Sequence, residues 1–185
     1  MTKPNSRRDL LRVLPGLAAL RGVRLPAWLP RLALLGAPAA TRAAAVPAQP
    51  GEPVVWPEVG LIDGERFGPA EVAGRALVVV FFTTSCPFCR RHNRHLQRLH
   101  ELAPPGLAVL GVARETDVAL VRRHGAREGY RFPITLAAEP LAAALSRRRL
   151  VPLTVTIGRD GTLRQVIPGE MSEDDVLSLA RLAAG

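Results

Sequence analysis

Two uninterrupted apolar runs, Ala76–Phe82 and residues 107–112, are the strongest hydrophobic signals in the chain. Their length and β-branched content are typical of strands buried on both faces. Between them, apolar residues recur three and four positions apart up to residue 103, which predicts an amphipathic helix. Pro104, Pro105 and Gly106 then end that helix. The pattern therefore predicts a strand, a helix and a second strand, with the two strands parallel.

The second half of the chain alternates weaker helical and extended patterns. Before the first buried strand, residues 61–67 are predicted as two short strands around an Asp-Gly turn, and residues 69–74 as a helical turn. Helices are predicted over 117–128, 139–147 and from Ser172, which begins a capping box, to about 183. In the first of these, Val118, Val121 and Ala126 are predicted to face inward. Extended segments are predicted over 132–136, 152–157 and 163–167, the last two joined by an Asp160-Gly161 turn. This order predicts an α/β fold with three layers, α/β/α, around a mixed central sheet.

The positive charge is concentrated at the N-terminus. The 185 residues carry a formal net charge of +9. Residues 1–45 hold eight Lys or Arg side chains against Asp9 alone, a net charge of +7, so only +2 belongs to residues 46–185. Because the predicted domain is nearly balanced, the sequence gives no support for a nucleic-acid partner.

Residues 1–45 resemble an export signal. Ser6-Arg7-Arg8-Asp9-Leu10-Leu11-Arg12 is similar to the twin-arginine motif, and Ala43-Ala44-Ala45 and Val46-Pro47-Ala48 offer cleavage sites. Several Arg and Pro residues interrupt the apolar region, so a basic cytoplasmic tail is the alternative. We predict a twin-arginine signal peptide over 1–45, a Pro-rich linker over 46–55 and a domain over 56–185, placed in the periplasm or otherwise outside the cytoplasm. Any membrane attachment is expected only through an uncleaved leader.

The two cysteines of the chain, Cys86 and Cys89, lie where the first buried strand passes into the helix. A helix N-terminus presents free N–H groups and the positive end of the helix dipole, which stabilise a thiolate. Pro87 suits the first helical position. Cys86 is therefore predicted as the nucleophile of a thiol-disulfide exchange, and Cys89, one turn later, as the resolving thiol. The redox-active disulfide Cys86–Cys89 would need no further cofactor.

Two other roles for the cysteines are open. A purely structural disulfide across so short a loop would contribute little through loop entropy. A metal site is the sharper rival, because Cys86, Cys89, His92 and His95 follow a C-x-x-C-x-x-H-x-x-H spacing. However, one helix cannot easily place four ligands around a tetrahedral ion, and His95 lies on a different side of the helix from Cys89 and His92. We expect no metal and predict His92 as a partly buried, hydrogen-bonded residue beneath the site.

From about Trp56 the chain resembles the thioredoxin fold, and more narrowly the extracytoplasmic thioredoxin-like reductases of cytochrome c maturation, the TlpA/ResA type. The resemblance rests on the C-x-x-C after a buried strand, and on four further segments of the chain. These are residues 111–115, Phe132-Pro133, residues 151–154 with 158–161, and residues 169–173. The chain departs from the family in Ser85 before the first cysteine, Phe88 between the cysteines and Arg94 in place of a helix-kinking proline.

The resemblance implies roles for residues outside the cysteine pair. Pro152 would be a cis proline beside the cysteines, and the Val151 backbone would pair with an extended client segment. With Phe88, these residues form the predicted client-binding set. Glu115 would lie beneath the disulfide as the general base for Cys89, the alternative being a solvated acid before a helix. Arg90, Arg91, Arg94 and Arg98 are predicted as a solvated helix face.

The sequence therefore predicts an extracytoplasmic thiol-disulfide oxidoreductase that reduces or exchanges client disulfides, such as those of apocytochrome c. Its partners would be client dithiols or disulfides and a membrane protein that returns it to the reduced state. The alternatives are a metal-binding chaperone using Cys86, Cys89 and His92, a disulfide oxidant or isomerase of the same fold, and a non-catalytic client-binding module.

Overall fold

The computed structural model describes residues 46–185. The predicted signal peptide and the first predicted cleavage site, Ala43-Ala44-Ala45, lie outside these residues, whereas the second, Val46-Pro47-Ala48, lies within them. The strands are β1 (Val59–Gly60), β2 (Arg66–Phe67), β3 (Ala76–Phe82), β4 (Leu107–Ala113), β5 (Ile134–Thr135), β6 (Leu153–Ile157) and β7 (Leu163–Pro168). The helices are α1 (Pro69–Val72), α2 (Pro87–Leu102), α3 (Val118–Glu128), α4 (Ala138–Leu145), α5 (Glu173–Ser178) and a terminal 3₁₀ helix (Leu179–Ala184).

Five strands form one mixed sheet in the order β5-β4-β3-β6-β7. The β3–β4 and β4–β5 pairs are parallel, while β3–β6 and β6–β7 are antiparallel. The predicted parallel first half and antiparallel final hairpin are thus confirmed. Strand β3 runs parallel to β4 and antiparallel to β6. The C-terminal ends of β3 and β4 and the N-terminal end of β6 therefore lie side by side along one edge of the sheet, the edge formed by strand ends. Cys86 lies just beyond that edge.

Alternate residues of the central strands face two separate cores. Leu77, Val79 and Phe81 pack with the buried side of α4, the side hereafter called the α4 face. Val78, Val80 and Phe82 pack with residues of α2, α3, α5 and the 3₁₀ helix, the side hereafter called the α2 face. Helices on both faces confirm the three-layer α/β/α class. Among residues 46–185, no helix is long and apolar enough to cross a membrane.

Residues 46–55, predicted as a linker, are attached to the domain along much of their length. Ala48 N donates to Ala144 O at 3.0 Å and Val54 N donates to Gly161 O at 2.9 Å. Leu163 N donates to Glu52 O, also at 2.9 Å. The prolines that suggest a linker also suit an edge segment, because proline has no N–H to donate. The domain therefore begins N-terminal to the boundary predicted at residue 56.

Helix α3 turns a different side to the core than its apolar residues predict. Val121 is buried as expected, but Val118 is 37% exposed and Ala126 is exposed. His124 and Gly125 take the inward positions instead. His124 stacks on Phe82 with ring centroids 6.4 Å apart and meets Tyr130 edge-on at 5.6 Å. Aromatic contact with these neighbours, rather than hydropathy, sets the rotation of this helix.

Candidate active site

Cys86 caps the N-terminus of α2 and is only partly buried. Its backbone is extended, and its Sγ accepts a hydrogen bond from Cys89 N at 3.1 Å. Pro87 occupies the first turn, where its missing N–H costs nothing. The sulfur therefore receives an N–H of the first helical turn, the arrangement that stabilises a thiolate at this position. The structure confirms the predicted strand-to-helix placement of the pair.

Cys89 lies one turn further on and is fully buried. Burial raises the pKa of its thiol to about 12, and a hydrogen bond with Cys86 adds to the rise, while the Thr83 backbone opposes it. Both cysteines are free thiols, so the structure is that of the reduced pair. Cys86 is thus partly exposed, whereas Cys89 is a buried thiol with a raised pKa. That asymmetry suits the first for attack and the second for resolution.

The loop before β6 carries the predicted cis proline. The Val151–Pro152 peptide bond is cis. Pro152 O accepts a hydrogen bond from Gly169 N at 2.8 Å, which ties this loop to the end of β7. Within residues 46–185, the N–H and C=O of Val151 have no hydrogen-bond partner. Both groups are therefore available to pair with an added strand.

Glu115 follows the end of β4 and contacts the loop that leads to Cys86. Its Oε1 accepts a hydrogen bond from Thr84 N. Its Oε2 is buried and has no hydrogen-bond partner among the described residues. Glu115 is thus not the fully solvated acid of the alternative interpretation. It holds the active-site loop through one oxygen, and the role of the second oxygen as a base stays a prediction.

His92 is fully buried beneath the cysteines and connects three segments. Its Nδ1 accepts from Met171 N at 3.2 Å, so its Nε2 carries the proton that faces Thr154 Oγ1 at 3.1 Å. Burial lowers the pKa of His92 to about 4, and the neighbouring His95 adds to this, while Glu170 opposes it. The predicted hydrogen-bonded histidine is present, although it is fully rather than partly buried.

These contacts of His92 also bear on the metal alternative. Both ring nitrogens have protein partners, so His92 would have to give up one hydrogen bond to bind a metal. In the described part of the chain, no group of three or more His, Cys, Asp or Glu side chains is arranged to hold a metal ion.

Phe88 lies between the cysteines and is 54% exposed. The Arg91 guanidinium carbon lies 5.0 Å from the centre of its ring. Arg91 also forms a two-pronged ion pair with Glu170, with nitrogen–oxygen distances of 2.7 and 2.6 Å. This pair holds Arg91 against the exposed ring. An exposed aromatic surface of this kind beside the reactive sulfur fits the predicted client contact.

Three arginines of the predicted solvated face of α2, Arg91, Arg94 and Arg98, are exposed, whereas Arg90 is partly buried, and the face forms more ion pairs than expected. Arg90 and Arg94 lie 3.5 and 3.4 Å from the Glu128 carboxylate, which is only 10% exposed. Arg98 lies 4.0 Å from Glu101. The sequence pattern did not identify Glu128 and Glu170 as the partners, because both are distant in sequence. Thr154 and Met171, the partners of His92, were missed for the same reason.

Comparison with known proteins agrees with this geometry. The family model described as Redoxin matches residues 49–182. The thiol-disulfide oxidoreductase ResA of Halalkalibacterium halodurans is 28% identical over 130 residues, covering 70% of this chain and 74% of the relative. ResA of Geobacillus kaustophilus is 24% identical over 116 residues, covering 62% and 67% respectively.

Solved structures give the same fold. A thiol:disulfide interchange protein of the thioredoxin family from Chlorobium tepidum has a TM-score of 0.67 at 26% identity, over 75% of this chain and 99% of its own. A secreted disulfide oxidoreductase from Mycobacterium tuberculosis has a TM-score of 0.58 at 22% identity, over 66% and 92%. The second similarity shows the fold alone.

Proposed function

This chain belongs to the Redoxin family and is a thiol-disulfide oxidoreductase, and we propose that Cys86 and Cys89 are its redox pair and that it reduces client disulfides outside the cytoplasm. The observation that carries the proposal is the asymmetry of the two thiols. Cys86 is partly exposed at a helix N-terminus and Cys89 is fully buried one turn below. Apocytochrome c is the proposed client, by similarity to ResA.

The exchange has two steps. The Cys86 thiolate attacks one sulfur of the client disulfide, forming a mixed disulfide and releasing the first client thiolate. Cys89 then loses its proton and attacks Cys86 Sγ, which forms the Cys86–Cys89 disulfide and releases the second client thiolate. Glu115 is the proposed acceptor of the Cys89 proton, and the two client thiolates take up protons from solvent. The client gains two electrons and the cysteine pair loses them, so a membrane thiol donor is proposed to restore the dithiol.

The client would bind across the site as an extended segment. Val151 has free backbone groups beside the cis peptide, and Phe88, two residues after Cys86, offers an exposed ring. Backbone pairing gives affinity with little side-chain selectivity. This arrangement supports a protein client rather than a small molecule.

Insulin reduction tests the assignment of the pair. Wild-type protein should precipitate insulin chains in the presence of dithiothreitol, whereas Cys86→Ser should be inactive and Cys89→Ser should accumulate mixed disulfides. Brief alkylation of the reduced protein, followed by mass mapping, should label Cys86 before Cys89. Preferential labelling of Cys89 would reverse the two roles, and an active Cys86→Ser variant would remove the pair from the mechanism.

The direction of electron flow is tested by the reduction potential of the Cys86–Cys89 couple, measured against glutathione and thioredoxin redox buffers. A value near that of thioredoxin, about −270 mV, is expected of a reductant. A value near −120 mV would instead identify an oxidant of the same fold.

Export through the twin-arginine route is proposed from Arg7 and Arg8. The ResA-type relatives support the extracytoplasmic location but not the route. Replacing both with lysine should leave uncleaved precursor in the cytoplasm, while wild-type protein should begin at Val46, or at Gln49 if the second site is used. Normal export of the double-lysine variant would indicate the general secretory route. Wild-type protein retained intact in the cytosol would contradict the localisation itself.

A further inference from the structure

Phe88 and Arg91 form an exposed pair of side chains next to the reactive sulfur. Phe88 lies two residues after Cys86 and is 54% exposed. The Arg91 guanidinium carbon lies 5.0 Å from the centre of the Phe88 ring, within the range of a cation–π contact. The ring is therefore in contact with the protein on the side of Arg91 and still presents apolar surface to solvent.

Glu170 fixes Arg91 in this position. Arg91 Nε donates to Glu170 Oε1 at 2.7 Å, and Arg91 Nη2 donates to Glu170 Oε2 at 2.6 Å. Two parallel hydrogen bonds of this kind set the plane of the guanidinium group as well as its distance. They also lower the pKa of the Glu170 carboxyl, so the pair is fully charged at neutral pH. Glu170 therefore controls the side chain that contacts the Phe88 ring.

The residues on either side of Glu170 are bonded to elements of the active site. Gly169 N donates to Pro152 O in the cis-proline loop at 2.8 Å. Met171 N donates to His92 Nδ1 in α2 at 3.2 Å. The backbone that carries Glu170 is thus held on both sides. Glu170 is a fixed anchor relative to the loop that is proposed to bind the client.

The neighbouring side chains around Cys86 are also apolar. Val151 and Met171 are partly buried and pack, like Cys86, against the core of the α2 face. Leu150, the residue before Val151, is 45% exposed. An extended client segment that pairs with the Val151 backbone would place its side chains among these apolar groups and Phe88. The apolar surface of Phe88 thus belongs to the proposed client site.

The charge of Arg91 does not make this surface a site for acidic clients. The guanidinium is already engaged by both oxygens of Glu170, and an acidic client side chain would have to displace that carboxylate. Apolar contact has no such competitor, because burying apolar surface is favourable in proportion to its area. A ring that is already held also loses little conformational freedom when a client packs on it.

We propose that Phe88, positioned by Glu170 through Arg91, selects clients that carry a large apolar side chain next to the cysteine they present. This inference rests on the proposed function, because it names a client class for the same site. The occupant is an extended client segment whose apolar side chain packs on the exposed surface of the Phe88 ring. Glu170 is a positioning residue in this arrangement and acts only through Arg91.

Binding is tested without redox chemistry, using full-length Cys86→Ser/Cys89→Ser protein and three fluorescent peptides. The peptides share one sequence with serine at the cysteine position, flanked on both sides by Leu, Asn or Glu. Leu and Asn have similar shapes, so the Leu peptide should bind about three- to tenfold more tightly than the Asn peptide through apolar burial. Equal binding of these two peptides would overturn the inference. Tightest binding of the Glu peptide would also overturn it, and would identify Arg91 as a site for an acid.

Three variants of this protein test the positioning role. Phe88→Ala should weaken the Leu peptide to the affinity of the Asn peptide. Glu170→Gln should weaken the Leu peptide about two- to fivefold, because the released ring must be immobilised on binding. Arg91→Lys keeps the charge but not the two parallel hydrogen bonds, so it should have the same effect as Glu170→Gln. Wild-type affinity in both Glu170→Gln and Arg91→Lys would contradict the positioning role.

A double variant shows whether Glu170 acts through the ring. In the Phe88→Ala background, Glu170→Gln should change the affinity for the Leu peptide by less than about 1.5-fold. Equal weakening in both backgrounds would overturn the positioning role, because Glu170 would then act without the ring. Arg98→Gln is the matched control, since it removes an exposed ion pair of the same helix, 4.0 Å from Glu101. It should keep the parent affinity, and a loss equal to that of Glu170→Gln would also overturn the role.

A kinetic experiment separates this inference from the proposed function. Wild-type protein is given disulfide-linked forms of the Leu and Asn peptides, and reduction is followed at several peptide concentrations. The Leu peptide should have a KM about three- to tenfold lower at a kcat within about twofold, since its side chain contributes before the sulfur is attacked. Equal KM values would overturn the inference. Failure to reduce either peptide, with the binding preference intact, would contradict the proposed function alone, because the selection by Phe88 would stand.

Discussion

Helices α2 and α4 cover opposite faces of one sheet, yet they bury very different side chains. The inward residues of α4 are Ala138, Leu141, Ala142 and Leu145, all apolar. Those of α2 are Cys89, His92, Asn93, Leu96, Gln97 and Leu99, of which three are polar and one, Cys89, is the proposed resolving thiol. Burying polar groups costs free energy unless they are hydrogen-bonded. The α4 face is therefore built for stability, and the α2 face gives up part of that stability to position the active site.

Two of the three inward polar residues of α2, His92 and Gln97, form connections that an apolar core cannot make. His92 joins α2 to β6 through Thr154 and to the segment after β7 through Met171. Gln97 accepts from Arg131 N at 2.7 Å, which joins α2 to the segment before β5. Directional bonds fix the helix relative to the cis-proline loop, whereas apolar contacts alone permit small shifts. This contrast between the faces can be tested by changing each one separately.

The largest expected effect is on the α4 face. Leu141 is fully buried, so Leu141→Ala should lower the free energy of unfolding by about 2–5 kcal/mol through lost burial and a residual cavity. The thiol chemistry should not change, because Cys86 and Cys89 pack in the core of the α2 face, whereas Leu141 packs in the core of the α4 face. Urea unfolding measures the loss of stability. Insulin reduction, measured at a temperature where the variant is folded, tests whether the thiol chemistry is unchanged. A loss of specific activity in the folded variant would show that the two faces are not independent.

The next effect is the pH dependence contributed by His92. Its pKa is about 4 in the folded protein against 6.5 for an ordinary histidine, so the unfolded chain binds the proton more tightly. The stability it contributes is complete above about pH 6.5 and is lost as pH falls toward 4, by at most about 3 kcal/mol. His92→Gln should remove this component while keeping a donor and an acceptor at the site.

The measurement is the difference in unfolding free energy between wild type and His92→Gln at several pH values, since His100 and His124 also have lowered pKa values. His95→Gln, on the same helix, removes only the smaller of the two causes that lower the pKa of His92, so it should reduce the pH dependence in part, whereas His92→Gln removes it. Parallel pH profiles for wild type and His92→Gln would mean that His92 does not titrate as proposed.

The third effect is on chemistry rather than stability. If the free Oε2 of Glu115 accepts the Cys89 proton, Glu115→Gln should slow resolution of the mixed disulfide about ten- to a hundredfold. The Gln oxygen can still accept from Thr84 N, so the loop should keep its structure. Stopped-flow decay of the mixed disulfide gives the rate, with exposed Glu101→Gln as the control. An unchanged rate would limit Glu115 to holding the loop.

The buried apolar strands of this fold could be predicted from the sequence, while most of the buried polar contacts could not. Continuous runs such as Ala76–Phe82 identify buried strands without reference to the rest of the chain. The C-x-x-C placement also follows from local order. By contrast, His92 meets Thr154 across 62 residues and Met171 across 79, and neither contact has a local signal. The inward position of His124 depends on Phe82 and Tyr130, so hydropathy selected Val118 and Ala126 instead.

The smallest effect compares two threonines on β6. Thr154 and Thr156 are both fully buried and are two residues apart, so they face the same side of the sheet. Thr154 Oγ1 contacts His92 Nε2 at 3.1 Å, whereas Thr156 Oγ1 has no hydrogen-bond partner among the described residues. Removing a buried polar group that lacks a partner relieves a desolvation cost, while removing a bonded one leaves its partner unsatisfied.

Valine has nearly the shape of threonine, so the two substitutions differ mainly in the hydrogen bond. Thr156→Val should raise the free energy of unfolding by about 1 kcal/mol, and Thr154→Val should lower it by about the same amount. Thr154→Val should also alter the acid dependence of stability, because it leaves the His92 Nε2–H without its acceptor. Urea unfolding at pH 7 and pH 5 measures both effects. If both substitutions changed the free energy of unfolding in the same direction, the hydrogen bond of Thr154 would not be what distinguishes the two threonines. The difference between the α2 and α4 faces would then not lie in the hydrogen bonds of the α2 face.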